Sequence, residues 1–146
     1  MNWLIIGAGV SGKSLVHYFF KNNVATYIYD DRLPEIKTQQ ELEKKRSSLV
    51  NKEKSEELIK KGLVNIILSP GIAKNHFLVA LAKKNKRLIT NEIDFTLSKT
   101  KAKILAITGT NGKSTVASMC QHILKNAGLS SLLTGNIGTP VSSILT

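Results

Sequence analysis

A single cysteine, Cys120, stands among 146 residues, so no disulfide forms within the chain. That excludes the disulfide-stapled class of small domains and agrees with a cytosolic location. Aromatic side chains amount to only 5%. A platform for single-stranded nucleic acid is built from exposed rings, so that class is disfavoured. No apolar run reaches the roughly 18 residues that a membrane-crossing helix takes. The opening Met1-Asn2-Trp3-Leu4-Ile5-Ile6 has no basic leader and meets Gly7 at once, so no signal peptide is expected. Acids are scarce beyond residue 57. Residues 58–146 hold twelve basic residues against Glu92 and Asp94, whereas residues 1–57 hold nine basic and eight acidic ones. The resulting formal charge of +11 draws anions such as nucleotides, nucleic acid or acidic lipid. Most individual lysines, and the run Glu43-Lys44-Lys45-Arg46, read as solvated faces.

What is present is 42% apolar residues, enough for a buried core, in an alternation of strand-like and helix-like segments. Asn2–Ile6 reads as a strand. Ser11–Asn22 follows with Leu15, Val16, Phe19 and Phe20 at helical spacing. Ala25–Tyr29 reads as a second strand. Residues 33–61 are polar, a loop or poorly packed helix, ending in a helix over Lys54–Lys61 stopped by Gly62. Leu63–Leu68 is a third strand, closed by Ser69-Pro70-Gly71. His76–Lys84 reads as a helix, Arg87–Thr90 as a strand and Glu92–Leu97 as a short helix. Trp3 is expected in the core. His17, His76 and His122 show no metal spacing and read as surface or helix-face residues.

The segment 98–103, S-K-T-K-A-K, has no bulky apolar residue and reads as a linker. Beyond it, Ile104–Ile107 and Ser131–Leu133 are expected strands, and Lys113–Asn126 a helix ended by Gly128. Thr139 reads as a helix cap with Pro140 at the first helical position. The fold class expected is α/β: a Rossmann-like parallel-sheet domain over 1–97, then the start of a phosphate-loop ATPase domain over 104–146. Two strands cannot bury both faces of a sheet, so the second unit reads as cut short.

Two glycine loops carry the chemistry. Gly7-Ala8-Gly9-Val10-Ser11-Gly12 is G-x-G-x-x-G between a strand and a helix. Glycine there permits a tight turn and lets main-chain amides approach a pyrophosphate at the helix start. Asp30 lies 18 residues past Gly12, close to where a dinucleotide site keeps its ribose-binding acid. Asp31 and Arg32 flank it, and Arg32 suits a phosphate or a base carbonyl. The second loop, Gly109-Thr110-Asn111-Gly112-Lys113-Ser114-Thr115, resembles G-x-x-x-x-G-K-[ST] but is shorter at its front, because the template's first glycine falls on Ile107. Lys113 brings charge for terminal phosphates, and Ser114 a hydroxyl for Mg²⁺.

These residues resemble the Mur ligases, the ATP-dependent, ADP-forming amide ligases of peptidoglycan precursor synthesis, whose phosphate loop has this contracted form. Thr108-Gly109-Thr110-Asn111-Gly112-Lys113-Ser114-Thr115 is most similar to the D-glutamate-adding branch. The first glycine loop, Ser69-Pro70-Gly71-Ile72, Asn91–Phe95 and Gly135-Asn136-Ile137-Gly138 before Pro140 agree with it. The resemblance implies three domains, of which this chain holds the first and the start of the second and is by itself inactive. It implies a uridine diphosphate site at Val10, Ser11, Gly12, Asp30, Asp31, Arg32 and Gly71, with Asn136 near the point of phosphoryl transfer. It implies ATP on Gly109–Thr115, with Lys113 and Asn136 catalytic and Ser114 on Mg²⁺. The partners implied are UDP-N-acetylmuramoyl-L-alanine and D-glutamate, joined through an acyl phosphate, in a monomeric cytoplasmic enzyme with neither nucleic acid nor membrane as partner. Asp31 stands where the family often has threonine. The alternatives are a nicotinamide-dependent Rossmann oxidoreductase, another Mur or folylpolyglutamate synthase-type ligase, and a basic nucleic-acid module.

Overall fold

The computed structural model describes residues 2–32, 40, 42–135 and 139–146. Its frame is one five-stranded parallel sheet in the order β3-β2-β1-β4-β5. The strands are β1 (Asn2–Ile6), β2 (Thr26–Tyr29), β3 (Ser47–Leu49), β4 (Val64–Leu68) and β5 (Ile89–Asn91). Central β1 pairs Ile6 with Tyr29 on one side and with Leu68 on the other. The helices are α1 (Val10–Lys21), α2 (Lys52–Lys60), α3 (Phe77–Lys84), α4 (Glu92–Leu97) and α5 (Lys113–Asn126), with a 3-10 turn at Val141–Leu145.

A parallel strand covered on both faces must be apolar at successive positions, and β1 is: Leu4, Ile5 and Ile6 are all fully buried. Alternate side chains serve opposite faces. Leu4, Ile6, Tyr29, Val64 and Ile66 pack under Leu58 and Ile59 of α2 and Leu78 and Ala82 of α3. Ile5, Ile28 and Ile67 pack on the other face under Leu15, Val16 and Phe19 of α1 and Phe95 of α4. Full burial of each such side chain stabilises by about 1.5–3 kcal/mol. Trp3 joins this second layer against the rings of Phe19 and Phe95. The result is the α/β, helices-on-both-faces architecture that the alternation predicts.

Caps set the helix starts. Asn51 accepts the Lys54 amide at 2.9 Å, so α2 begins two residues before the expected Lys54. Asn91 does the same for α4, accepting from Asp94 at 2.7 Å. The polar stretch 33–61 also yields β3, which the sequence reading omits. Three residues carry no usable periodicity, and β3 exists because β2 offers it a parallel edge. Thr26 and Ser47 seal that pairing with a buried hydroxyl contact of 2.6 Å. The loop-or-poorly-packed-helix reading lies outside the described residues over 33–39 and at 41, whereas 42–44 are helical and Leu42 is buried in the second apolar layer.

The second unit departs from expectation. Ile104–Ile107 and Ser131–Leu133 are not strands. Ile104 is 54% exposed and Leu105 66%. A strand needs a neighbour for its amides and carbonyls, and among the described residues none pairs with either segment. Helix α5 forms over the expected span, but none of its residues is buried. Cys120, on this helix, is accordingly half-exposed. The last turn is 3-10, with Pro140 in the cap position, one residue later than the expected Thr139. It lies back on α1 and α4: the Ser142 amide donates to the buried carboxylate of Glu92, and Leu145 packs on the aromatic layer.

Candidate functional site

The first glycine loop sits at the carboxyl end of β1, between β2 and β4. There the chain crosses from one side of β1 to the other, and open α/β sheets present ligand crevices at such points. Each glycine answers a different demand. Gly7 has φ +104°, and a Cβ there would stand 2.8 Å from the Ser69 side chain. A Cβ on Gly12 would lie 2.0 Å from the Gly7 carbonyl oxygen, so α1 packs directly on the loop. Gly9, the cap of α1, has nothing within 4 Å of a built Cβ. That empty side lies at an N-terminus with no side-chain cap and no acid in its first turn, a setting whose chemistry suits an anion.

Two neighbours fasten the loop. Asp30 Oδ2 accepts the Ala8 amide at 2.7 Å, and Oδ1 accepts the Arg32 amide at 2.9 Å. Ser69 Oγ donates to the Gly7 carbonyl at 3.1 Å, and the Ser69 amide to Ile6 at 3.0 Å. The Ser69-Pro70-Gly71 turn thus stands against the glycine loop at the same edge of the sheet. Gly71 is open, with nothing within 4 Å of a built Cβ.

The structure therefore gathers Val10, Ser11, Gly12, Asp30, Asp31, Arg32 and Gly71 along one sheet edge. Val10 is 68% exposed, and Asp31, Arg32 and Gly71 are exposed beside it. His76 and Tyr29 are the members that sequence reasoning missed. His76 is no free helix-face residue: it caps α3 by accepting the Leu78 amide on Nδ1 at 3.2 Å, and its Nε2 reaches Asp31 at 3.2 Å. Tyr29 donates to Asp31 at 3.0 Å. Burial first, and then the bond to Asp31, push the Tyr29 phenol up to about 12. The signal for His76 was its place just before an apolar helical repeat, where capping residues stand.

The second loop is a separate feature. Gly109 has φ +152° and Gly112 φ +73°, both in the region that favours glycine. Gly112 caps α5 with no side-chain bond, and no acid lies in the first turn. Lys113 folds back so that its ammonium donates to the carbonyls of Gly109 and Thr110. Thr110, Asn111, Ser114 and Thr115 are exposed around it. Asn136 lies outside the described residues. Among the described residues no group of three His, Cys, Asp or Glu side chains is placed to hold a metal. No helix among them is long and apolar enough to cross a membrane.

Comparison with known proteins agrees with this geometry. Residues 1–91 match the family described as Mur ligase MurD-like, N-terminal domain. UDP-N-acetylmuramoylalanine--D-glutamate ligase of Protochlamydia amoebophila is 37% identical over 140 residues, covering 95% of this chain and 32% of the relative. The enzyme of that name from Wolbachia pipientis is 34% identical over 143 residues, covering 96% and 27%. That from Buchnera aphidicola of Schizaphis graminum is 35% identical, covering 97% and 32%. The chain thus spans about a third of the length of the curated relatives it matches. Among solved structures, a pseudomurein peptide ligase type C from Methanothermus fervidus shares the fold, with a TM-score of 0.56 at 24% identity, over 99% of this chain and 31% of that one. With the glycine loop, the contracted phosphate loop and the doubly covered parallel sheet in place, these matches make the chain a member of the Mur ligase family, of the MurD-like kind.

Proposed function

We propose that this chain is the uridine-nucleotide-binding part and the adjoining phosphate loop of an ATP-dependent, ADP-forming ligase that joins D-glutamate to UDP-N-acetylmuramoyl-L-alanine. Residues 1–97 form the uridine nucleotide domain, 98–103 a linker, and 104–146 the start of an ATP-binding domain. The observation that carries the reading is the glycine loop at the carboxyl end of β1, open on its outer side. Gly9 and Gly71 each have open space at a built Cβ, α1 starts without a side-chain cap, and Arg32 is exposed at the end of β2.

The division of labour follows from charge. The amides at the start of α1 bind the diphosphate, and Arg32 contacts the uracil carbonyl or a phosphate. At the second loop the residues present fit a triphosphate and its Mg²⁺. Two positive-φ glycines turn the main chain, the α5 N-terminus is uncapped, and Ser114 and Thr115 hydroxyls are exposed. Lys113, now on loop carbonyls, swings to the phosphate oxygens and offsets their charge as the substrate carboxylate approaches. Ser114 would hold the Mg²⁺ through its hydroxyl, and Asn136, outside the described residues, would approach the muramoyl substrate. ATP would supply its terminal phosphoryl group to the substrate carboxylate with ADP leaving, and the D-glutamate amine would then displace phosphate from the acyl phosphate, losing a proton as the amide forms. The setting is the cytoplasm and the full-length enzyme a monomer.

Calorimetric titration of the chain with UDP and with NADH tests the reading. UDP binds and NADH does not. Tighter binding of NADH would return the crevice to the dinucleotide oxidoreductases.

A further inference from the structure

Two adjacent acids end β2, and their surroundings differ. Each oxygen of the half-buried Asp30 accepts a main-chain amide, from Ala8 and from Arg32. This carboxylate fastens the glycine loop to β2. Asp31 is held from behind instead. Tyr29 Oη donates to Oδ1 at 3.0 Å, and His76 Nε2 lies 3.3 and 3.2 Å from Oδ1 and Oδ2. The His76 side chain is 9% exposed, whereas that of Asp31 is 54% exposed. Asp31 therefore keeps outward lone pairs while its inner side is fixed.

The hydrogen bonds also fix the histidine tautomer. Nδ1 accepts the Leu78 amide, so it carries a lone pair. The ring hydrogen is then on Nε2, pointing at Asp31. The ring is clamped edge-on to Tyr29 and tilted against Phe77, at centroid distances of 5.9 and 4.6 Å. Asp31 is thus oriented from both β2 and α3.

An ionised carboxylate accepts hydrogen bonds and donates none. Beside a uridine nucleotide the donors are the uracil N3–H and the two ribose hydroxyls, and of these the adjacent hydroxyl pair can meet a carboxylate through two short, charge-assisted O–H···O⁻ bonds. We propose that Asp31, positioned by Tyr29 and His76, is the ribose-diol acceptor of the uridine nucleotide site, and that Asp30, the acid at the expected dinucleotide position, is a staple for the loop. This rests on the uridine-nucleotide reading above. His76 and Tyr29 act through Asp31 and are positioning residues.

The test titrates the 146-residue chain with UDP and with 2′,3′-dideoxy-UDP. The wild type favours UDP by about tenfold or more, the worth of a hydrogen bond to a charged group. Asp31→Asn removes most of that preference by weakening UDP alone. His76→Asn keeps a side chain that caps α3 but no longer reaches Asp31. With Tyr29→Phe it lowers the preference several-fold while circular dichroism stays unchanged. Asp30→Asn lowers the unfolding midpoint and retains the preference. The inference is overturned if UDP binds with no preference over the dideoxy compound, or if the preference follows Asp30 and survives Asp31→Asn. Failure of both nucleotides to bind the folded wild type overturns the uridine reading and this inference with it.

Discussion

Gly12 is the residue at which sequence and fold constrain each other most tightly. Its built Cβ lies 2.0 Å from a main-chain carbonyl oxygen, which no side-chain rotation relieves. Gly12→Ala must separate α1 from the glycine loop, with a loss of about 2–3 kcal/mol of the kind overpacking produces. Urea unfolding of the two proteins measures it. Gly9→Ala, with open space at its Cβ, leaves the midpoint nearly unchanged and weakens UDP instead. Tyr29 gives a second test at this scale. Its phenol is raised to about 12 in the fold, against about 10 in an unfolded chain. The unfolded state therefore loses this proton first as pH rises. The contribution of Tyr29 is complete below pH 10 and is lost as pH climbs toward 12. Wild type should thus lose stability over that window faster than Tyr29→Phe, as followed by thermal melts at stepped pH.

Helix α5 shows how an element can be legible and still lack support. Its span was readable because Gly112 and Gly128 bracket a continuous helical pattern. The flanking strands were not realised, because strand conformation depends on a partner that sequence periodicity does not supply. A helix of 14 residues with no buried side chain is marginal in water. Amide exchange at neutral pH should therefore run orders of magnitude faster in α5 than in Leu4–Ile6 of β1, as mass spectrometry of peptic fragments would show. Protection of α5 equal to that of β1 would mean that its exposed Val116, Met119 and Ile123 are covered in solution. The same logic explains what was readable of the crevice. Glycines and a strand-end acid announce themselves by spacing. The separate duties of Asp30 and Asp31 depend on Ala8 and His76, which are 22 and 45 residues away. No local pattern encodes such contacts.

Taken whole, the chain is a sheet domain with a tail that returns to it. All five strands and both apolar layers lie within residues 2–97, apart from Leu145. The exposed 98–103 stretch leads away, yet Val141–Leu145 comes back to α1 and α4. Three contacts hold it: Ser142 on Glu92, Leu145 on the aromatic layer, and the Lys21 ammonium donating to the Thr146 carbonyl at 2.6 Å. Glu92 is 1% exposed. A carboxylate that deep needs its donor while the turn covers it, but removing the whole tail readmits water to it. Deleting residues 98–146 should therefore cost little at Glu92 and mainly forfeit the half-buried Leu145, about 1–2 kcal/mol. The melting midpoint should fall by several degrees, with the transition still cooperative. Glu92→Leu in the intact chain strands the Ser142 amide under cover, which costs about 1–3 kcal/mol. In the shortened chain the same substitution should be far milder. Equal penalties in the two backgrounds would show that the returning turn does not rest on Glu92 in solution. Scanning calorimetry of the four proteins decides between these outcomes.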